Sequence, residues 1–308
     1  MAAAGAREQV AEDLSRLGIK HGDTVLVKAD VRFMRLKRQK SERLDYAEAL
    51  RDGLLLAIGP EGTLLSMTFT RTLTLGPTMR RPPFEGSMVA NTGGLANSVL
   101  LHPQAVRSTH PTNSFTAIGR QADVLTRFHT PYAHAHRPIE DLISVRGKML
   151  IVGCVDLNPG FSTVHLAQHQ IGLSERHVLS GHVRAKFRAP SGELSNFVKR
   201  DIPGCNLGFG NVYPRYREAG LLIEGDVARA RSYLISAPEA YEIDMRTLQD
   251  DPCSVLCSNP DCLDCRVLKT YTGPGRGSAL LRILKRHSRR RLAVSQHRRE
   301  NVPTPSAQ

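Results

Sequence analysis

The sequence has 308 residues, enough for one large domain or two modest ones around a substantial core. Hydrophobic residues make up 41% and charged residues 23%, which excludes disorder by composition. Trp is absent and aromatics are only 5%, which argues against a surface built to stack single-stranded nucleic acid bases.

The net charge of +13 belongs to one end of the chain, because residues 266–308 carry eleven Lys/Arg against the single acid Glu300. The remainder is close to neutral. Arg7, Glu8, Glu12 and Asp13 interrupt the small apolar start, so no signal peptide is read there. No apolar run is long enough for a membrane span, and a cytoplasmic location is expected. Six cysteines in such a chain point to reduced thiols or a metal rather than a disulfide framework.

In chain order, Val10, Leu14 and Leu17 mark a helical stripe closed by Gly18. Gly22-Asp23-Thr24 then turns into a buried strand at Val25-Leu26-Val27. Residues 46–58 read as an amphipathic helix stopped by Gly59-Pro60, followed by a strand over 63–69. Residues 71–89 are rich in Pro, Thr and Arg and read as a long irregular loop. Further on come a helix over 95–101, a short strand over 113–118, a helix over 139–145 and an apolar strand over 148–152. A helix starts near Ser162, and another covers 212–219 after Gly-rich turns at 204–210. Residues 225–236 read as helix with some strand, and 238–248 as a last helix.

Helices alternating with short apolar strands predict an α/β fold, with a central mixed or parallel sheet covered by helices on both faces. A Cys-rich segment and a basic C-terminal tail follow it. The expected division is 1–250 for the α/β domain, 251–277 for the Cys-rich segment and 278–308 for the tail.

Several segments fall in a telling order. Gly22-Asp23-Thr24-Val25-Leu26-Val27 precedes Gly59-Pro60-Glu61-Gly62-Thr63-Leu64 and Met67-Thr68-Phe69-Thr70. Next come Arg107-Ser108-Thr109-His110-Pro111-Thr112-Asn113-Ser114, then Gly147-Lys148-Met149-Leu150-Ile151-Val152-Gly153, then Ser162-Thr163-Val164-His165-Leu166-Ala167. In that order and spacing the chain resembles the aminoglycoside 3-N-acetyltransferase family over roughly 17–248. The resemblance implies a non-GNAT acyltransferase fold that moves acetyl from acetyl-CoA to an amine. It also implies that His165 is the catalytic histidine.

The chemistry agrees, since acyl transfer to an amine needs a base of near-neutral pKa to remove a proton. Ser162 is placed to donate to the thioester oxygen as it becomes an oxyanion. The resemblance further implies that Arg107, Ser108, His110, Thr112 and Ser114 lie on the CoA side of the site. Three departures accompany it. Gln168 stands where the family has an acid one turn after the histidine, Lys28-Ala29-Asp30 replaces a His-Ser-Ser run, and Asn97 replaces a Glu. Lys28 is still expected to meet a phosphate, and Asp156 is a candidate to replace the missing carboxylate. With two family acids gone and Arg71, Arg80 and Arg81 in the long loop, the expected acceptor is an aminoglycoside or, better, a less cationic amine.

Cys253, Cys257, Cys262 and Cys265 have C-x3-C-x4-C-x2-C spacing, open to a structural zinc site or to free thiols. Cys154 reads as a small buried hydrophobe. His129, His134 and His136 are read as part of a family loop rather than as metal ligands. The basic tail is open to nucleic-acid contact or to simple solvation. The rival to an enzyme is a nucleic-acid or protein-binding module that kept the fold and lost the chemistry.

Overall fold

The computed structural model describes residues 2–36, 45–76, 79–202 and 204–272, with side chains from residue 5 onward. The basic tail at 278–308 lies outside the described residues, as does most of the basic run at 35–43. The first elements are α1 (Ala2–Leu17), β1 (Thr24–Ala29), α2 (Tyr46–Ile58), β2 (Thr63–Met67), β3 (Thr74–Leu75), α3 (Gly94–Leu100), β4 (Val106–Arg107) and β5 (Phe115–Gly119). They are followed by α4 (Ala122–Thr126), α5 (Arg137–Ser144), β6 (Lys148–Val152), α6 (Thr163–Gln170), β7 (Val183–Arg188) and β8 (Leu194–Lys199). The last are α7 (Tyr213–Glu218), β9 (Ile223–Val227), β10 (Ala230–Ser236) and α8 (Ala237–Asp250).

Seven strands form one sheet in the order β4-β5-β2-β1-β6-β10-β9. β2, β1 and β6 are parallel at its centre, and the flanking strands are antiparallel. The expected mixed sheet is present. Its central strands are continuous apolar runs because both faces are covered. Val25 and Val27 face a core built with Val10, Leu14, Leu50 and Leu54 of α1 and α2. Leu26, one residue out of phase, faces the other core with Val164, Leu166 and Ala240 of α6 and α8. Helix α2 starts where the Asp45 carboxylate accepts from the Ala47 and Glu48 amides at 2.8 and 3.1 Å.

Two differences from the sequence reading concern strands. Residues 225–236 form no helix: they belong to the β9–β10 hairpin, which turns through Ala228 and Arg229 at φ 49° and 63°. Without glycine at the turn the hairpin leaves little local signal. Its geometry is held from outside, by Ala228 N donating to Asp13 at 2.7 Å and Arg35 N donating to Ala228 O at 2.7 Å. The stretch 171–203, to which no element was assigned, contains β7 and β8. With β3 they make a second, antiparallel sheet. Among the described residues no helix is long and apolar enough to cross a membrane.

Candidate active site

The loop from 153 to 162 leaves the end of β6 beside the end of β1, the edge of an open α/β sheet where sites form. Gly160 is held at φ +78°, and a Cβ there would lie 2.1 Å from Phe209 Cβ, so no larger residue fits this approach. Lys28, at the end of β1, spans the loop from beneath. Its ammonium donates to Asn158 O at 2.6 Å and Gly160 O at 2.8 Å. Burial lowers its pKa to about 8. In place of the expected phosphate-facing cation, Lys28 is a staple under the loop that delivers α6, because backbone carbonyls already occupy its donors.

His165 sits in the first turns of α6, partly exposed. Its ring stacks on His136 at 4.9 Å and meets the edge of Phe209 at 4.7 Å. Its Nδ1 is buried and has no hydrogen-bond partner among the described residues. Burial holds the imidazole at about 3, the Lys269 charge adds to this, and Gln168 opposes it. That is well below the near-neutral base expected, and the physical reason is a cationic, desolvated setting with no carboxylate partner. Asp156 does not fill that place: it is 74% exposed at the side chain and pairs with Arg231 at 3.1 Å.

Gln168 is fully buried one turn further along α6. Its Nε2 donates to the Tyr271 hydroxyl at 2.8 Å, while its Oε1 has no partner among the described residues. Two orphaned buried atoms, His165 Nδ1 and Gln168 Oε1, therefore belong to side chains that share one helix face. Ser162 Oγ donates to the Met67 sulfur at 3.7 Å. Behind the helix lies Asp244 of α8, fully buried, accepting from Tyr216 OH; burial raises its pKa to about 7.

The histidines group more closely than their spacing suggested. His110 stacks on His129 at 4.6 Å and His134 on His169 at 4.3 Å, beside the His136–His165 pair. Burial holds His110 at about 3 and pushes His129 and His136 well below the ordinary range. Lys199 and Asp201, at and just beyond the end of β8, are buried beside them and pair at 3.0 Å. Tyr271, Phe209 and Lys199 went unread and His136 was read only as part of a loop, because each reaches the site from a distant part of the chain.

The 107–114 segment is mostly engaged with itself. Arg107 donates to Ser114 Oγ at 3.1 Å, Gly86 O at 2.8 Å and Thr68 O at 2.7 Å, and burial lowers its pKa to about 10. Ser114 Oγ donates to Thr68 O at 2.7 Å, and Thr112 Oγ1 to Asn113 Oδ1 at 2.8 Å. His110 is fully buried, its Nδ1 accepting from Asn113 N at 3.1 Å. Ser108 Oγ accepts from Phe115 N at 2.9 Å and bonds His129 Nδ1 at 2.9 Å. Of the five residues assigned to the CoA side, Arg107 and Ser108 line one open cleft. It has a volume of about 470 Å³, with Phe84, Tyr132, Phe187 and Arg188 among its walls.

The cysteine reading needs one correction. The four sulfurs that come within 4.8 Å of one another belong to Cys205, Cys257, Cys262 and Cys265. Cys253 stands apart, its sulfur 4.0 Å from Thr272 Oγ1. Local spacing favoured Cys253, but the loop before α7 folds back to bring Cys205 in.

A family model described as aminoglycoside 3-N-acetyltransferase matches residues 36–249. The aminoglycoside N(3)-acetyltransferase III of Serratia marcescens is 26% identical over 273 residues, 79% of this chain and 96% of its own length. The enzyme of the same name from Salmonella sp is 30% identical over 262 residues, 76% of this chain and 87% of its own length. Two solved structures share the fold. Aminoglycoside acetyltransferase AAC(3)-IVa, as apoenzyme, has a TM-score of 0.68 at 22% identity, covering 86% of this chain and 97% of that one. AAC-IIIb, as a binary complex with CoASH, has a TM-score of 0.65 at 22% identity, covering 79% and 96%. The matched span, most of the chain, shows that it belongs to the aminoglycoside 3-N-acetyltransferase family.

Proposed function

We propose that this chain transfers an acetyl or other short acyl group from acyl-CoA to a primary amine of a small molecule, with His165 as the base. The observation that carries the reading is the position of His165: partly exposed, at the carboxyl end of the parallel strands, with Gln168 one turn away. The relative crystallised with CoASH supports a CoA thioester as cosubstrate. A cytoplasmic location goes with that cosubstrate.

Both substrates bind together. The amine nitrogen attacks the thioester carbonyl, whose π electrons move onto oxygen, and Ser162 Oγ donates to that oxyanion. His165 takes the proton from the nitrogen. Collapse of the adduct breaks the C–S bond, and the thiolate leaves as CoASH by taking up that proton. Even a weakly basic imidazole can take this proton, because nitrogen in the zwitterionic adduct is far more acidic than a free ammonium, and a stronger base would take it faster. Gln168 Oε1 accepts from His165 Nδ1–H in the reactive state, which leaves the Nε2 lone pair to act.

The acceptor is an aminoglycoside or another primary amine, and the less cationic choice is favoured because Gln168 and Asn97 stand where the family carries acids that would meet a polycation. Thiol release from acetyl-CoA across a panel of aminoglycosides and monoamines tests this. Turnover of monoamines above aminoglycosides is expected, the reverse order would correct the acceptor, and no release with any amine would count against acyl transfer.

A further inference from the structure

We propose that Cys205, Cys257, Cys262 and Cys265 hold a structural zinc ion, and that this metal knot positions Tyr271 against Gln168. Its effect on turnover rests on the acyltransfer reading above; the metal site itself does not. All four thiols are free, and their sulfurs lie within 4.8 Å of one another. A tetrahedral zinc with bonds of about 2.3 Å sets sulfurs about 3.8 Å apart, so the four need close by only about 1 Å. Four protein ligands leave no open position, which makes the role structural.

The surroundings are built for this cluster. Within the C-x2-C turn, Cys265 N donates to Cys262 Sγ at 3.5 Å, the bond that orients a thiolate toward a shared ion. Gly208 lets the Cys205 loop lie against the cysteine segment, since a Cβ there would fall 2.6 Å from Cys257 N and 2.4 Å from Val255 O. Asp264 Oδ2 accepts from Cys205 N at 2.5 Å, and its Oδ1 meets His177 Nε2 at 2.8 Å. Loading the site exchanges four thiol protons, released to solvent, for one divalent cation, leaving a net charge of −2. Lys269 and Arg266 stand ready to balance it, donating to Cys205 O at 2.5 Å and Cys257 O at 2.6 Å.

The knot also reaches the acyltransfer site. Lys269, bonded to Cys205, precedes Tyr271 by two residues, and Tyr271 accepts from Gln168 at 2.8 Å. That stretch is held against the segment at 176–177 by the His177–Lys269 bridge and by Thr270 Oγ1 donating to Arg176 O. Tyr271 is thus a positioning residue. Its hydroxyl turns the Gln168 amide so that Oε1 faces away from Tyr271 and remains free for His165.

Metal analysis of the full-length protein, purified without chelator, should find one zinc per chain. Cys205→Ser should lose it and Cys253→Ser should keep it. Cobalt exchanged into the wild type should give the intense visible bands and thiolate charge-transfer of a tetrahedral tetrathiolate site, which keeps the test valid if Cys205→Ser fails to fold. A metal-free wild type with all six thiols titratable would overturn the site, as would zinc lost from Cys253→Ser and retained in Cys205→Ser. For the positioning role, Tyr271→Phe should lower kcat about tenfold, with zinc content and KM for acetyl-CoA unchanged. An unchanged kcat would overturn that role while leaving the metal result to stand on its own.

Discussion

The Gln168 side-chain amide donates to the Tyr271 hydroxyl at 2.8 Å, which ties the helix carrying His165 to the end of the cysteine segment. That bond decides which end of the amide is available to the histidine. A neutral amide fixes the imidazole without adding charge, so His165 stays at about 3 and is unprotonated throughout the working range. The kcat/KM profile of the wild type should therefore show no histidine limb between pH 5 and 8, only the rise as the acceptor amine deprotonates. Gln168→Glu supplies the missing negative charge, which favours the imidazolium and raises the His165 pKa. The variant should gain a limb inside that range and a higher kcat on the plateau. A wild-type limb near 6.5 that Gln168→Glu leaves in place would contradict this.

Stability should depend on pH through the buried histidines. His110 is held at about 3, against an unfolded value near 6.5, so the unfolded chain binds the extra proton between those limits. Its contribution is complete above pH 6.5 and lost as pH falls toward 3, about 2 kcal/mol of it by pH 5. His129, His136 and His165 act in the same direction. Urea unfolding at pH 7 and pH 5 measures the loss.

Asp244 opposes this trend. Its folded pKa is raised to about 7, so the folded state holds the extra proton and gains stability as pH falls from 7 toward 3.8. Asp244→Asn removes that gain. The variant should be more stable than wild type at pH 8 and should lose about 2 kcal/mol more between pH 7 and 5. A variant whose pH dependence parallels the wild type would show that Asp244 does not titrate there.

Lys28 distinguishes a staple from a phosphate ligand. Lys28→Met leaves Asn158 O and Gly160 O without their donor, at a cost of about 1–3 kcal/mol, and loosens the loop before α6. Thermal unfolding should fall and kcat should drop, while the Kd for CoA stays within about twofold. A tenfold weakening of CoA binding with unchanged stability would restore the phosphate reading.

Much of the scaffold was legible because the central strands are short apolar runs and the helices carry clean stripes. Val25-Leu26-Val27 and residues 148–152 could only be buried strands, and Asp45 capped the helix at Tyr46 where the pattern began. His165 was singled out through its flanks, and it stands at the carboxyl end of the parallel strands. What escaped depends on contacts far apart in sequence. The β9–β10 turn uses positive φ at Ala228 and Arg229, a conformation fixed by Asp13 and Arg35 rather than by local residues. β7 has the alternation of a half-buried strand, yet with a charged residue at every second position 183–188 gave no apolar run to mark it. Cys205 lies 52 residues before Cys257, and Tyr271 lies 103 beyond Gln168, so spacing carried no trace of either pairing. Nothing local reveals that three loop carbonyls converge on the Lys28 ammonium.

The most direct measurement is acetyl-CoA-dependent thiol release by His165→Ala, alongside calorimetric CoA binding by the same protein. Loss of the base should lower kcat by at least about a hundredfold. The Kd for CoA should stay within about threefold and the unfolding temperature should not fall. A variant that binds CoA and still transfers acetyl at the wild-type rate would contradict the assignment of His165.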